Sequence, residues 1–179
     1  MKALVCGNAP CLTNELKGKE LHEYFTVRMN GYTEPPYMPC KAWSSWPDPS
    51  HRLHHNRHEP MYDVSEYAQN CEELWLVHPG VIPLAVNKFK RIPDFILSKQ
   101  GVVELTKKVG SPPNMGMLMI KACMEQKRFD EIFVAGFDFY ESPNDYYFIE
   151  GKFDHPAHNQ ADNKRWFMKQ VEHGRIKNL

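Results

Sequence analysis

The sequence predicts an α/β fold, one mostly parallel sheet carrying helices on both faces. Three observations point there. The chain starts on a short apolar run, Lys2 to Cys6, that breaks at once into Gly7-Asn8-Ala9-Pro10. Further runs of strand length alternate with segments of helical periodicity. Finally, a helical stretch from Met115 to Lys127 leads directly into a second buried run, Glu131 to Phe137, the order that a parallel crossover requires.

Taken in order, Lys2 to Cys6 reads as a buried strand and Leu12 to Leu16 as a short helix after the Gly-Asn break. Phe25 to Met29 has strand character and stops at Asn30-Gly31. Lys41 to Trp46 and Glu73 to Val77 are expected strands of the same kind, each ending in turn-forming residues. Between them, 47–62 carries three prolines and four histidines with few aliphatic residues, which suits a loop and makes it the candidate lid. In the helix from Met115, the residues Met117, Leu118, Ile120, Ala122 and Met124 can face a sheet. The last segment, Asn159 to Glu172, is amphipathic, offers Trp166, Phe167 and Val171 to the core, and has Gly174 as its stop.

At 179 residues the chain fits one compact domain with a real core. Its 22 basic and 22 acidic residues balance, so no whole-molecule field favours a nucleic acid or an anionic membrane. Cys6, Cys11, Cys40, Cys71 and Cys123 are odd in number and lack paired spacing, so neither a zinc site nor a secreted disulfide framework is expected. A soluble protein of the reducing cytoplasm is the expectation, since neither a signal core nor a membrane-length apolar run occurs.

Ligands of open parallel sheets collect beyond the carboxyl ends of the strands. The polar residues there are Asn8, Asn30, Ser44, Ser45, Asp138 and Tyr140, joined by Asn114 at the start of the long helix. Gly7 would let backbone approach a ligand, and Asn8 can donate and accept. By itself, Gly-Asn is only a turn.

The wider context is more specific. Val5-Cys6-Gly7-Asn8-Ala9-Pro10-Cys11-Leu12, followed by Val27-Arg28-Met29-Asn30, resembles the first conserved block of bacterial and animal sialyltransferases. Pro113-Asn114-Met115-Gly116-Met117-Leu118, running on into Ala135-Gly136-Phe137-Asp138-Phe139-Tyr140, resembles their second. The resemblance implies a Rossmann-like, metal-independent variant of the GT-A type and a donor site for a CMP-sugar. In it Gly7, Asn8, Ala9, Asn30, Asn114, Gly116, Gly136, Phe137 and Asp138 would stand near the nucleotide. The family has no metal, and this chain contains no Asp-X-Asp triplet to hold one. Tyr140 and Tyr146 match the two tyrosines whose hydroxyls stabilise the departing phosphate, a task suited to uncharged donors. A histidine before the last helix acts as the family's general base; here both His155 and His158 are candidates. An imidazole with its ordinary pKa of about 6.5 is a competent base at cellular pH. Asp162, four residues after His158, echoes the acidic residue that follows the family's histidine.

Two positions depart from the family. Met115 replaces a small hydroxyl residue, and Trp46 stands where an Asn ends the third strand. Both family groups help hold sialic acid, and each charged partner lost costs about 1 to 3 kcal/mol. The sugar pocket, with Ser44, Ser45, Trp46 and Met115, is therefore expected to be rebuilt, and the donor sugar to differ from ordinary sialic acid, unless Ser44, Ser45 or Asn114 compensates. The cluster His51, His54, His55 and His58, with Arg52 and Arg57, fits an acceptor- or phosphate-approaching lid better than a metal site, because Pro47, Pro49 and Pro60 oppose a long helix, and it fits a solvent-exposed stretch without function better still.

The expected activity is transfer of a sugar from a CMP-sugar to an acceptor hydroxyl, a glycan above all, by inverting displacement. The rivals are a CMP-sugar hydrolase and a nucleotide-binding module without catalysis. Acceptor, linkage and any homo-oligomer are left open.

Overall fold

The structure is a computed structural model that describes residues 1–30, 40–47, 64–144 and 158–179. Tyr146, His155, the histidines and arginines of 51–58 and all of the candidate lid except Pro47 lie outside the described residues. In chain order the elements are β1 (Lys2–Cys6), α1 (Leu12–Leu16), β2 (Tyr24–Met29), β3 (Ala42–Ser44), α2 (Val64–Asn70), β4 (Glu73–Leu76), α3 (Ile82–Phe89), β5 (Phe95–Ile96), α4 (Lys99–Val109), α5 (Met115–Glu125), β6 (Glu131–Ala135), α6 (Gln160–Glu172) and β7 (Lys177–Asn178).

The strands form one sheet in the order β5-β4-β3-β2-β1-β6-β7. Each neighbouring pair is parallel, so the expected mostly parallel sheet is wholly parallel among the described strands. From β1 the chain steps outward strand by strand to β5, then returns through α5 to place β6 on the other flank of β1. The register aligns Val5 with Val27 of β2 on one side and with Val134 of β6 on the other. This reversal between β1 and β6 is where open parallel sheets form their ligand crevice.

Side-chain alternation divides the core into two layers. Ala3, Val5, Phe25, Val27 and Met29 meet Leu105 of α4, Met117 and Ile120 of α5 and Trp166 and Phe167 of α6. On the other face, Leu4 and Cys6 meet Leu12 and Leu16 of α1, while Trp43, Leu74 and Leu76 meet Ala68 of α2 and Phe89 of α3. Arg28 belongs by parity to this second face and is fully buried. Burial pushes the Cys6 thiol up to about 12, and the Arg28 guanidinium pulls the other way.

The expected boundaries shorten at strand ends. The run from Lys41 to Trp46 is a strand only over Ala42–Ser44, and the run to Phe137 stops at Ala135 because Gly136 turns to a φ of 72°. The segment between β4 and α5 holds α3, β5 and α4, three elements beyond those expected from the sequence. Helix α4 is nevertheless marked at both ends. The Ser98 hydroxyl accepts from the Gly101 N–H at its start, and Gly110 adopts a φ of 91° at its stop.

Candidate functional site

The crevice is built around two glycines. The Gly7 N–H donates to Ala135 O at 2.8 Å and the Ala9 N–H to Gly136 O at 3.1 Å, carrying the β1–β6 ladder one step past the strands. A Cβ on Gly7 would stand 2.1 Å from Gly136 O. The space that a side chain would fill is thus taken by the neighbouring backbone rather than by a ligand. That gives Gly7 a packing role whatever else the loop touches. Asn8 follows, 8 % exposed, and its amide donates to Met29 O at 3.1 Å, tying the end of β1 to the end of β2.

The next strand ends continue the row. Asn30 leaves β2 with a φ of 53°, a left-handed conformation that Asn tolerates better than most residues. Its N–H donates to Ser44 O at 2.9 Å, its carbonyl accepts from Trp43 Nε1 at 2.9 Å and its side-chain oxygen accepts from the Ser45 hydroxyl at 3.3 Å. Ser44 is fully buried, whereas Trp46 is half-buried with its ring 4.3 Å from that of His78, at right angles. His78 follows β4 and was not a sequence candidate. Its place just past β4 puts it at this end of the sheet, and its contact with Trp46 sets the ring against the end of β3.

Helix α5 supplies the opposite wall. Asn114 caps it, its side-chain oxygen accepting from the Met117 N–H at 3.0 Å. That oxygen is therefore engaged in the cap, which narrows compensation for the departures at Met115 and Trp46. Gly116 has its missing Cβ directed at Phe137, whose Cε1 would be 2.4 Å away. The turn after β6 therefore rests on the first turn of α5, and Phe137 in turn packs on Phe167 of α6 at 5.4 Å between ring centres.

The turn itself holds two successive left-handed residues, Phe139 at φ 55° and Tyr140 at φ 62°. Non-glycine residues in this region are strained, and strain of this kind persists only where surroundings enforce it. Asp138 does so: its carboxylate accepts from the Tyr140 N–H at 2.9 Å and the Ser142 N–H at 3.2 Å. The neighbouring Gly136 N–H donates to Glu15 of α1 at 2.7 Å. Burial and its own contact with Glu15 push the half-buried Cys11 thiol up to about 12. On the β7 side of the turn, a cleft of about 340 Å³ opens among Glu15, Phe137, Phe139, Lys164 and Phe167.

His158 lies just before α6. Its Nδ1 is 3.2 Å from Pro112 O, on the loop that leads into α5. The acidic neighbour expected from sequence, Asp162, instead pairs with Arg165 at 3.0 Å. The unexpected residue is Asn163, fully buried on α6. Its side-chain oxygen accepts from the Asn114 N–H at 3.0 Å and its amide donates to Asn159 O at 2.7 Å. One grouping with metal-ligand chemistry occurs among the described residues, Glu20, His22 and Glu23. It stands at the far end of the sheet from this crevice, where Lys2 already pairs with Glu23 at 3.2 Å.

Neither a protein-family model nor a curated protein matches the sequence. Solved structures do match the fold. A sialyltransferase, CST-II, in complex with a trisaccharide acceptor and CMP, is 15% identical with a TM-score of 0.59, and the match covers 99% of this chain and 79% of that one. A mammalian sialyltransferase in complex with Gal-beta-1-3GalNAc-ortho-nitrophenol is 14% identical with a TM-score of 0.63, over 99% of this chain and 68% of that one. A further mammalian sialyltransferase structure gives 13% identity and a TM-score of 0.64 over the same shares. The chain shares the fold of these enzymes along nearly its whole length. Among the described residues, no helix is long and apolar enough to cross a membrane.

Proposed function

We propose that this chain is a glycosyltransferase that moves a sugar from a CMP-sugar to an acceptor hydroxyl with inversion at the anomeric carbon. The observation that carries this reading is the convergence of Gly7-Asn8, Asn30, the Gly136–Asp138 turn and the His158 loop at one end of a sialyltransferase fold. The sequence resemblance drew on these same residues, and one structural neighbour was solved with CMP and an acceptor.

In this reading a histidine takes the proton of the acceptor hydroxyl as that oxygen attacks the anomeric carbon. The bond from that carbon to the phosphate oxygen breaks, and CMP leaves with the electron pair. Tyr140 and Tyr146 donate hydrogen bonds to the phosphate as its charge develops, a role in which preorganised donors count most. The strained backbone at Tyr140 supports that role, because strain of this kind gathers at functional turns. Asp138 then acts through the turn it braces, with its carboxylate on Tyr140 and Ser142. Metal is not required for this chemistry, so chelation with EDTA should leave turnover intact.

The donor sugar is proposed to differ from ordinary sialic acid. Met115 has no donor to offer a sugar carboxylate, Trp46 has a single indole N–H where the family has a carboxamide, Ser44 is buried, and Ser45 bonds to Asn30. The test is direct. The purified protein is incubated with a panel of CMP-sugars, and CMP release is followed with and without glycan acceptors. Acceptor-dependent release supports transfer, while equal release into water makes the protein a hydrolase. Turnover of CMP-sialic acid and no other donor would overturn the donor proposal. A reducing compartment suits five cysteines that form no disulfide, and cytoplasmic residence is proposed on that ground.

A further inference from the structure

We infer that the Pro112 carbonyl and Asn163 together hold His158 in its Nδ1–H tautomer, so that Nε2 is the atom that receives the acceptor's proton. This rests on the transferase reading above and assigns the base to His158 rather than His155.

The argument starts from the contact between His158 Nδ1 and Pro112 O at 3.2 Å. A carbonyl oxygen only accepts, so the hydrogen bond forms only when Nδ1 carries the proton. In a neutral imidazole the lone pair then resides on Nε2. General bases are ordinarily oriented in this way by a third group that fixes tautomer and ring plane. Here that group is backbone, and it cannot be removed by substitution. Its position relative to the ring can be.

Two loops must stay in register for the contact to exist, the one that ends at Asn114 and the one that ends at Asn159. Asn163 bonds to both. It accepts from the Asn114 N–H at 3.0 Å, two residues beyond Pro112, and donates to Asn159 O at 2.7 Å, one residue beyond His158. Asn163 is fully buried, so neither bond competes with water. Asn159 also caps α6 through the Asp162 N–H at 3.2 Å, which fixes the His158 end of the bridge to the helix. Asn163 thus acts through His158, as a positioning residue. An aspartate in its place would keep the acceptor for Asn114 and set a second oxygen against Asn159 O, which loosens only the histidine side.

The test reads the tautomer and turnover separately. Nitrogen-15 NMR of the full chain at pH 8, with the His158 signals assigned by their loss in His158→Gln, should show the Nδ1–H form. In Asn163→Asp those signals should move toward a mixture of tautomers, and kcat should fall about a hundredfold with KM for the CMP-sugar unchanged, the cost of a small misplacement at a reacting group. Asn163→Ser, which is smaller and uncharged, should show the same direction if Asn163→Asp does not fold. An Nε2–H tautomer in the unaltered protein, or an unchanged tautomer in both variants, overturns the inference. An unaltered protein with the Nδ1–H form and no CMP release supports the positioning and sinks the transferase reading instead.

Discussion

Arg128 and Glu73 meet face to face, Nη1 to Oε1 at 2.7 Å and Nη2 to Oε2 at 2.6 Å, across the gap between the end of α5 and the start of β4. The guanidinium also lies 4.5 Å from the Phe25 ring centre and 4.8 Å from that of Phe129, so both its edge and its face are used. The Arg128 bonds hold the Glu73 carboxyl below its ordinary value of 4.5. A carboxyl with a depressed folded pKa stabilises the protein above its unfolded pKa and loses that contribution as pH falls through the folded value. Arg128→Met should therefore cost about 1 to 3 kcal/mol at pH 7. In urea titrations the gap between the two proteins should stay constant above about pH 5 and close as the pH is taken below the ordinary carboxylate range. A gap that widens in acid would refute the pairing.

Gly7→Ala should be strongly destabilising although alanine is small. Its methyl would meet Gly136 O at 2.1 Å, and backbone on both sides has nowhere to go. Overpacking of this kind costs about 1 to 3 kcal/mol, and the β1–β6 contact would open with it. Gly80→Ala is the control, because nothing lies within 4 Å of its added carbon. Thermal melts should separate the two by several degrees.

Asn30→Gly should divide stability from ligand binding. Glycine accepts the φ of 53° without strain and, among the described residues, loses the Ser45 contact. Unfolding free energy should change by less than about 1 kcal/mol. If the Asn30 carboxamide contacts the nucleotide, CMP affinity measured by calorimetry should fall about tenfold. Unchanged CMP affinity would move Asn30 from the binding residues to the structural ones.

His158→Ala and His155→Ala provide the catalytic comparison. Loss of a general base removes about 10² to 10⁴ of rate, and that loss is expected for His158→Ala alone, with CMP binding retained. The reverse ranking of the two variants would reassign the base to His155.

Strands and helices with long apolar patterns were legible in the sequence. β1, β2, α5, β6 and α6 stand within a few residues of their expected places, because burial on one or both faces imposes a period that can be counted. β5 and β7, two residues each, carry no period and exist only through the neighbours they pair with. The candidate site was legible as strand ends, since Gly7, Asn30 and Asp138 are turn-forming residues at the close of apolar runs. What was not legible depends on two elements meeting. Asn163 reads as an ordinary polar position inside a helix until the α5 loop comes against it, and His78 reads as an ordinary turn residue after β4 until the ring of Trp46 is set beside it. Gly7 illustrates a subtler gap, for its lack of a side chain was visible but the carbonyl that demands it was not.

The central position of β1 has a kinetic consequence. Its residues are paired with a strand distant in sequence, Lys2 with Glu131 and Cys6 with Ala135. The crevice between Gly7 and Gly136 cannot take shape until the chain as far as Gly136 has collapsed, and closing so wide a loop precedes any reward from the contact. Folds dominated by such distant pairings form slowly. During synthesis β1 emerges before the other strands of the sheet and must wait, its apolar residues unshielded on one flank, for the segment that completes the crevice.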